Sequence, residues 1–284
     1  ACILPPQNLT SDVLRRLEEQ GKILARELRV KGLMNIQFAV KDDEIFLIEV
    51  NPRASRTVPF VSKSIGHPLA KYATWLMLGQ KLSDIGFSYE TPESVSVKET
   101  VFPFISFSGA DTELGPEMKS TGEVMGRGEN LEDAFLKAQV AAYQSEIKEG
   151  HIFIGVTDQD KQGMVPAALE FQKAGRKILA TEGTYKVLQK AGVTNIEKTS
   201  LDREDSDNIF DYIDRKEVAL IVNTTRPRKR SVDAKHIRRV ALMRNLPYFT
   251  TVEGTLNIAC AIAATDSGKK LNYKSLLISS KNSS

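Results

Sequence analysis

The sequence predicts an α/β protein with two domains, an α+β domain over residues 1–145 and a parallel-sheet domain over residues 146–284. Two apolar runs around residues 35–40 and 45–50 flank four charged residues, which indicates a β-hairpin. From residue 152 onward, short apolar runs alternate with helical patterns, which is typical of a parallel sheet covered on both faces. The polar stretch 143–150 separates the two patterns and marks the predicted boundary.

Composition excludes several classes of protein. The chain has 284 residues, of which 41% are hydrophobic and 26% charged, and no apolar run approaches the roughly 20 residues that span a bilayer. No signal-peptide pattern is visible at the start. The two cysteines are too few for a disulfide framework and fit a reducing cytoplasm. The three histidines form no zinc pattern, and a net charge of +3 does not by itself indicate nucleic-acid binding.

The first domain should contain three helices and one strand besides the hairpin. Thr10-Ser11-Asp12 supplies N-cap chemistry for a helix over about 11–29, and a second helix follows His67-Pro68 and ends near Gly79. A short strand is predicted over 98–104, and an alanine-rich helix over 131–142.

The hairpin carries a candidate metal site. Glu49 and Asn51 are two residues apart, so both side chains project from one face of an extended strand. If residues 42–44 form a three-residue loop, Gln37 lies across from Glu49, and three oxygen-bearing side chains share that face. Such ligands suit Mg²⁺ shared with substrate phosphates, and Arg53 and Arg56 follow to meet phosphate oxygens. The alternative is a surface hairpin with scattered polar residues.

The second domain carries a candidate anion site. Its predicted strands are 152–156, 177–180, 193–198, 218–223 and 248–250, and its predicted helices are 162–174, 184–191, 234–244 and 254–264. Ligands of such sheets lie at the carboxyl ends of the strands. Thr181 and Thr184 stand where a strand turns into a helix, whose N–H groups attract anions. Asn223 and Thr225 follow another strand, with Lys161 and Lys198 as countercharges, although each residue alone is more often a cap or turn former.

Longer runs of sequence resemble a known family. The run from Gly32 to Lys63, which includes Glu49-Val50-Asn51-Pro52-Arg53, is similar to carbamoyl-phosphate synthase large chains at the end of their second ATP-grasp unit. The run Gly115–Gly126 is long and specific, whereas Glu-x-Asn alone would be a weak signal, and the similarity covers nearly the whole chain. It implies the C-terminal portion of an ATP-grasp α+β domain, followed by a Rossmann-like, methylglyoxal-synthase-like regulatory domain.

The resemblance implies an activity and residue roles in the first domain. The reaction is ATP-dependent phosphorylation of carbamate, made from bicarbonate and ammonia, to carbamoyl phosphate for arginine and pyrimidine biosynthesis in the cytoplasm. Mg²⁺ or Mn²⁺ would be held by Gln37, Glu49 and Asn51, which also contact ATP with Arg53. Arg53 and Arg56 would orient phosphate or carbamate, and Lys98 would lie near the phosphate chemistry.

The resemblance also implies effectors and partners. A nucleotide monophosphate, UMP or IMP, would be held by six residues: Lys161, Thr181, Thr184, Lys198, Asn223 and Thr225. The spacing around Lys198 departs from the bacterial pattern. Ornithine would contact Glu99, Leu114, Tyr248 and Thr250. The implied partners are the remainder of the large chain, on the same or a separate polypeptide, and a small glutamine amidotransferase subunit.

The start of the chain leads to a further expectation. The sequence lacks an initiator Met and opens inside what resembles an ATP-grasp unit, so it reads as the C-terminal part of a longer polypeptide or one piece of a split enzyme. By itself it would then contribute half a catalytic site and a complete regulatory domain.

Three other functions compete with this interpretation. The chain is a pure nucleotide-sensing module if it catalyses nothing. A methylglyoxal-synthase-like lyase would need a carboxylate base beside the phosphate pocket, and the sequence shows no convincing one. The basic run 226–230 would suit nucleic acid, but no aromatic residues are interleaved with it. Neither nucleic acid nor a membrane is therefore expected as a partner.

Overall fold

The computed structural model describes residues 1–102, 120, 122–224, 232–266 and 271–273. These residues form two compact units, one of residues 3–95 with Tyr273 and one of residues 1–2 with the described part of 96–272. The predicted domain boundary at 145–146 falls inside the second unit and stays a prediction, because compact units and evolutionary domains need not coincide. No helix in the described ranges is long and apolar enough to cross a bilayer.

The unit of residues 3–95 is built from a helix, a hairpin and three shorter helices. Helix α1 begins after Thr10, whose side chain accepts a hydrogen bond from the Val13 N–H at 3.3 Å, as the N-cap pattern predicted. Gly21 of this helix packs near Ile36 on the hairpin. Strand β1 (Cys2–Leu4) is the first element of the chain. The elements that follow in this unit are α1 (Ser11–Glu27), β2 (Asn35–Lys41), β3 (Glu44–Asn51), α2 (Val58–Ile65), α3 (Leu69–Met77) and α4 (Leu82–Ile85).

The other unit begins with a small sheet packed against one helix. Strands β4 (Val95–Val101) and β5 (Gly122–Gly128) form a three-stranded sheet with β1 in the order β1–β4–β5. Helix α5 (Leu131–Tyr143) lies so close to β5 that a Cβ at Gly126 or Gly128 would overlap the helix backbone at Ala134. The predicted strand over 98–104 is confirmed as far as Val101, and its last two residues lie outside the described ranges.

A five-stranded parallel sheet forms the rest of this unit. Its strand order is β10–β9–β6–β7–β8, and every neighbouring pair is parallel. Ile152, Phe153 and Ile154 of the central strand are fully buried, so both faces of the sheet are covered. The elements are β6 (His151–Ile154), α6 (Val165–Lys173), β7 (Ile178–Ala180), α7 (Glu182–Lys190), β8 (Ile196–Lys198), α8 (Ile209–Asp214), β9 (Val218–Val222), α9 (Val232–Met243), β10 (Tyr248–Phe249) and α10 (Val252–Asp266).

The predicted α/β class is thus confirmed, and all five strands and four helices predicted for the parallel-sheet domain are present. The short helices α2, α4 and α8 and the strands β1 and β5 were not predicted from the sequence. Helix α8 has only six residues and follows an irregular stretch, so it offers too few turns for a periodic pattern.

Candidate functional site

The hairpin register depends on a tight turn and a β-bulge. Lys41 pairs with Glu44, so the loop contains only Asp42 and Asp43, with φ of 51° and 61°. Two positive φ values are typical of a type I′ turn. The expected three-residue loop is therefore wrong. The expected pairing of Gln37 with Glu49 is nevertheless present, because Ile48 is an extra, unpaired residue that restores the offset.

The bulge brings a carboxylate and two amides together. Glu49 Oε1 accepts hydrogen bonds from Gln37 Nε2 at 2.7 Å and from Asn51 Nδ2 at 2.8 Å. Gln37 and Glu49 are exposed and Asn51 is half-buried, so a ligand can reach the group from solvent. We call these three residues the hairpin cluster.

The hairpin cluster has a donor set that fits one type of metal. No group of three or more His, Cys, Asp or Glu side chains in the described ranges is placed to hold an ion, which leaves no zinc-type site there. Mg²⁺ is different, because it is commonly held through one or two carboxylates while phosphates and water complete its shell. One carboxylate with two amides matches that requirement. The amide nitrogens now face Glu49, so a cation would require both amides to turn over and present their oxygens.

The two arginines follow the hairpin cluster on an exposed segment. The Arg53 N–H donates to the Asn51 carbonyl at 2.8 Å, which places Arg53 directly beyond the cluster. Its Nη1 donates to the Ala54 carbonyl at 3.1 Å. Arg56 is also exposed. Their contact with phosphate or carbamate stays a prediction.

Lys98 and Glu99 lie on β4 and point to opposite sides of that strand. Lys98 forms an ion pair with Glu123 of β5 at 3.1 Å. Glu99 accepts from Gln139 Nε2 of α5 at 2.8 Å, and its other oxygen lies 3.8 Å from the Ala1 amino group. Glu99 is therefore held by a hydrogen bond from α5. Two adjacent charges on a strand do not by themselves indicate such a contact. Leu114, the other residue predicted here, lies outside the described residues.

The carboxyl ends of three neighbouring strands meet at the predicted anion site. Strand β6 lies between β9 and β7, so Gly155 and its neighbours are flanked by Asn223 and Thr181. Asn223 Nδ2 donates to the Gly155 carbonyl at 2.7 Å. The Thr181 hydroxyl lies 3.2 Å from that of Thr184, whose oxygen accepts from the Val156 N–H at 3.5 Å. The structure thus brings Thr181, Thr184 and Asn223 to one sheet edge, which we call the strand-end pocket.

The two predicted lysines approach this pocket from different directions. The Lys161 ammonium lies directly against Gly183 in the first turn of α7, where a Cβ would overlap it. Lys198 ends β8 and is exposed. The pKa of Glu182, also in the first turn of α7, is held below its usual value mainly by its hydrogen bond with Lys186, with a smaller effect of Lys198. Lys198 is therefore close enough to act on this helix end. Thr225 lies outside the described ranges.

The loop after β6 adds residues that the sequence analysis missed. The Thr157 N–H donates to Thr224 Oγ1 at 3.1 Å, and the Thr157 hydroxyl donates to Asp160 at 2.7 Å. Asp158 lies 2.5 Å from the Lys161 ammonium. Asp158 is therefore a carboxylate near the pocket, paired with a lysine, and the absence of a convincing base for a lyase stays a prediction. The Asp-x-x-Lys spacing was the available signal, since residues three apart meet on a helical turn.

Tyr248 connects the pocket to α5. Its hydroxyl lies 3.2 Å from Asn223 Oδ1, and its N–H donates to the Tyr143 hydroxyl at 3.1 Å. Burial raises the pKa of the Tyr143 phenol above its ordinary 10.0, and the hydrogen bond from Tyr248 opposes this shift in part. Thr250, the other residue predicted for ornithine in this region, is exposed. Tyr143 was missed because nothing in the sequence relates residues 105 positions apart.

The fold and these two groups of side chains define a class: an α/β chain with a carboxylate–amide cluster on a hairpin and with hydroxyl and amide groups at the strand ends of a parallel sheet. Residues 2–85 match the family described as "Carbamoyl-phosphate synthase L chain, ATP binding domain", and residues 163–250 match the family described as "MGS-like domain". These matches fall on the hairpin and on the pocket, respectively.

Individual relatives agree with the family matches, and all three described here are named carbamoyl phosphate synthase large chain. The chain is 47% identical to that of Methanobrevibacter smithii over 279 residues, 97% of this chain and 26% of the relative. It is 44% identical to that of Mesorhizobium japonicum over 274 residues, which cover 94% of this chain and 23% of the relative. It is 45% identical to that of Methanothermobacter thermautotrophicus over 280 residues, which cover 97% of this chain and 26% of the relative.

The chain therefore belongs to the carbamoyl phosphate synthase large-chain family, as the resemblance indicated, and carries its ATP-binding and MGS-like domains. It spans about a quarter of the length of these relatives. A solved structure titled "Crystal structure of ForH" aligns with a TM-score of only 0.27 at 16% identity, over 42% of this chain and 92% of the other, and supports no argument.

Proposed function

We propose that this chain supplies part of an ATP-dependent site that phosphorylates carbamate to carbamoyl phosphate, together with a domain that senses a nucleotide monophosphate. The supporting observation for the catalytic part is the hairpin cluster, in which Glu49 Oε1 lies within hydrogen-bonding distance of both Gln37 and Asn51. The match of residues 2–85 to an ATP-binding domain supports the same proposal.

Each residue would have a distinct task in this reaction. Glu49, with the amide oxygens of Gln37 and Asn51, would hold Mg²⁺ or Mn²⁺. A divalent cation bound there neutralises charge on the phosphates during transfer. Arg53 and Arg56 would bind phosphate or carbamate oxygens through their guanidinium groups. Lys98 would add a further cation near the phosphate, held in place by Glu123.

Binding of Mn²⁺ to the purified chain in the presence of ATP tests the catalytic part. Glu49→Gln removes the only charged ligand of the cluster, so Mn²⁺ affinity measured by electron paramagnetic resonance should fall by about tenfold, or about 1.4 kcal/mol. Glu44→Gln is the matched control, because Glu44 is an exposed carboxylate on the same strand and lies at the turn. Equal losses in the two variants would contradict the assignment of the metal site.

The remainder of a large chain would supply the other part of the ATP site, and a small glutamine amidotransferase subunit would supply ammonia, within the cytoplasm. UMP or IMP would bind through Lys161, Thr181, Thr184, Lys198, Asn223 and Thr225. Ornithine would bind through Glu99, Leu114, Tyr248 and Thr250.

A second candidate function is nucleotide sensing without catalysis by this chain. It is favoured by the strand-end pocket, whose hydroxyl and amide groups all lie within one compact unit. A ligand that binds the folded state raises the melting temperature. UMP or IMP should therefore raise it, whereas uridine, which lacks the phosphate, should not. Equal shifts with UMP and uridine would show that the phosphate is not what the protein recognises.

A further inference from the structure

Asp158 and Lys161 form an ion pair at the edge of the strand-end pocket. The Asp158 carboxylate oxygen lies 2.5 Å from the Lys161 ammonium, and the two residues are three positions apart in the turn before α6. Their surroundings differ sharply, because the lysine side chain is only 17% exposed whereas the aspartate side chain is 93% exposed. The buried partner is the cation, and the carboxylate approaches it from solvent.

The Lys161 ammonium lies where it would contact an anion bound at the start of α7. Its ammonium lies against Gly183 in the first turn of α7, close to the N–H groups that the helix leaves unpaired at its start. Thr181 and Thr184 place their hydroxyls beside the same turn. A phosphate bound by these groups would therefore meet the Lys161 ammonium, and the Asp158 carboxylate would be a competing anion at that contact.

We propose that Asp158 is an internal counter-ion that competes with the phosphate ligand for Lys161 and so sets the affinity of the pocket. This proposal rests on the proposed nucleotide-sensing function. In the ligand-free protein the carboxylate neutralises the lysine. Binding of phosphate requires this carboxylate to swing into solvent, which its exposure permits. The pocket then responds only to ligand concentrations high enough to displace it.

The physical reason is that two anions cannot share one ammonium without repelling each other. Breaking the pair and placing a phosphate near a carboxylate both oppose binding. The residue before Asp158 is held by contacts that do not involve the Asp158 carboxylate. Thr157 donates through its N–H to Thr224 and through its hydroxyl to Asp160. Asp158→Asn keeps the size of the side chain and removes its charge, and the contacts of Thr157 remain in the variant.

The test compares phosphate binding by the wild-type chain and Asp158→Asn. Inorganic phosphate and UMP are titrated calorimetrically at low and high NaCl. D158N should bind both about fivefold more tightly, which is the upper end of the range measured for exposed ion pairs, because the Lys161 side chain is mostly buried. The gain should shrink at high salt, which screens the competing charge in the wild type. Glu170→Gln is the matched control, because Glu170 forms the same type of pair with Lys173, three positions on, within α6.

Each result of these titrations either supports or contradicts the role of Asp158 as a counter-ion. Tighter phosphate binding by D158N, with Glu170→Gln unchanged, supports it. Unchanged affinity shows that the carboxylate does not compete, and weaker affinity shows that Asp158 positions Lys161 for the ligand. Either result contradicts the proposal that Asp158 competes with phosphate for Lys161, and neither contradicts the nucleotide-sensing function. If neither wild type nor D158N binds phosphate or UMP, the sensing function and the counter-ion are both wrong.

Discussion

Gln37 lies directly opposite Glu49 across the hairpin, with Gln37 Nε2 2.7 Å from Glu49 Oε1. This relationship depends on Ile48, the unpaired residue of the bulge. Without an extra residue, a ladder that starts from the two-residue turn would place Glu49 opposite Ile36, on the face that approaches Gly21 of α1. The polar face of the hairpin is therefore a consequence of backbone irregularity.

The turn of the hairpin should be stabilised by glycine. Asp43 has φ of 61°, a conformation that costs less for glycine than for other residues. We expect Asp43→Gly to raise the free energy of unfolding of this unit by about 0.5 kcal/mol or slightly more, and Asp43→Ala to lower it. Fluorescence of Trp75, the only tryptophan, reports on this unit during urea unfolding. Similar losses in both variants would contradict the assigned turn.

Gly183→Ala should separate helix stability from anion binding. A Cβ at this position overlaps the Lys161 ammonium, the end of a flexible side chain that can move away. Alanine has a higher intrinsic helix propensity than glycine, by up to about 1 kcal/mol in a helix interior and by less in the first turn, where Gly183 lies. We therefore expect unchanged or raised thermal stability, with UMP bound about fivefold more weakly in calorimetry. Gln189→Ala, on the same helix beyond the pocket, should leave UMP affinity unchanged. Full affinity in Gly183→Ala would show that Lys161 does not contribute to binding.

Tyr143→Phe should destabilise the unit that contains the parallel sheet. The variant removes the hydroxyl that accepts the Tyr248 N–H, leaving a partly buried donor unsatisfied. Such a loss costs about 1–2 kcal/mol. Tyr185→Phe is the control, because the Tyr185 hydroxyl accepts from Gln189 on an exposed surface. Urea unfolding followed by far-ultraviolet circular dichroism measures both. A cost no larger for Tyr143 than for Tyr185 would mean that this contact contributes little.

His151 should make stability fall at acidic pH. Burial, followed by the charge of Lys177, lowers the pKa of His151 below its ordinary 6.5. The unfolded chain therefore binds a proton more readily than the folded chain. The resulting stability is present above about pH 6.5 and is lost as the pH falls through the lower folded-state pKa. His151→Gln should flatten the decline of melting temperature between about pH 7.5 and 5. An unchanged decline in His151→Gln would show that this histidine does not determine the loss of stability at acidic pH.

The parallel sheet was predictable because each of its strands is a short apolar run bounded by polar residues. The pattern located β6, β7 and β9 to within one or two residues, and their order along the chain brought Thr181 and Asn223 to one edge. Strand ends of a parallel sheet are set by topology, so residues far apart in sequence can be grouped without coordinates.

The pairing of Gln37 with Glu49 was predicted correctly, although the loop length from which it was predicted was wrong. A three-residue loop and a regular ladder give the same pairing of Gln37 with Glu49 as the observed two-residue loop with a bulge. Sequence patterns did not distinguish these two solutions, because Ile48 continues the apolar run without interruption. The contact of Tyr143 with Tyr248 was missed because the two residues are 105 positions apart. The contact of Asp158 with Lys161 was missed although their spacing of three residues is visible in the sequence.

The compensation by Ile48 has a consequence for how this hairpin varies among homologous chains. A homologue with three residues between the strands needs no bulge, and one with two residues must keep it, so gain of a loop residue and loss of the bulge should occur as a correlated pair of changes. Alignments that place a single gap at the turn would then shift Glu49 by one column, and metal ligands assigned from such alignments would be transferred to the wrong strand face.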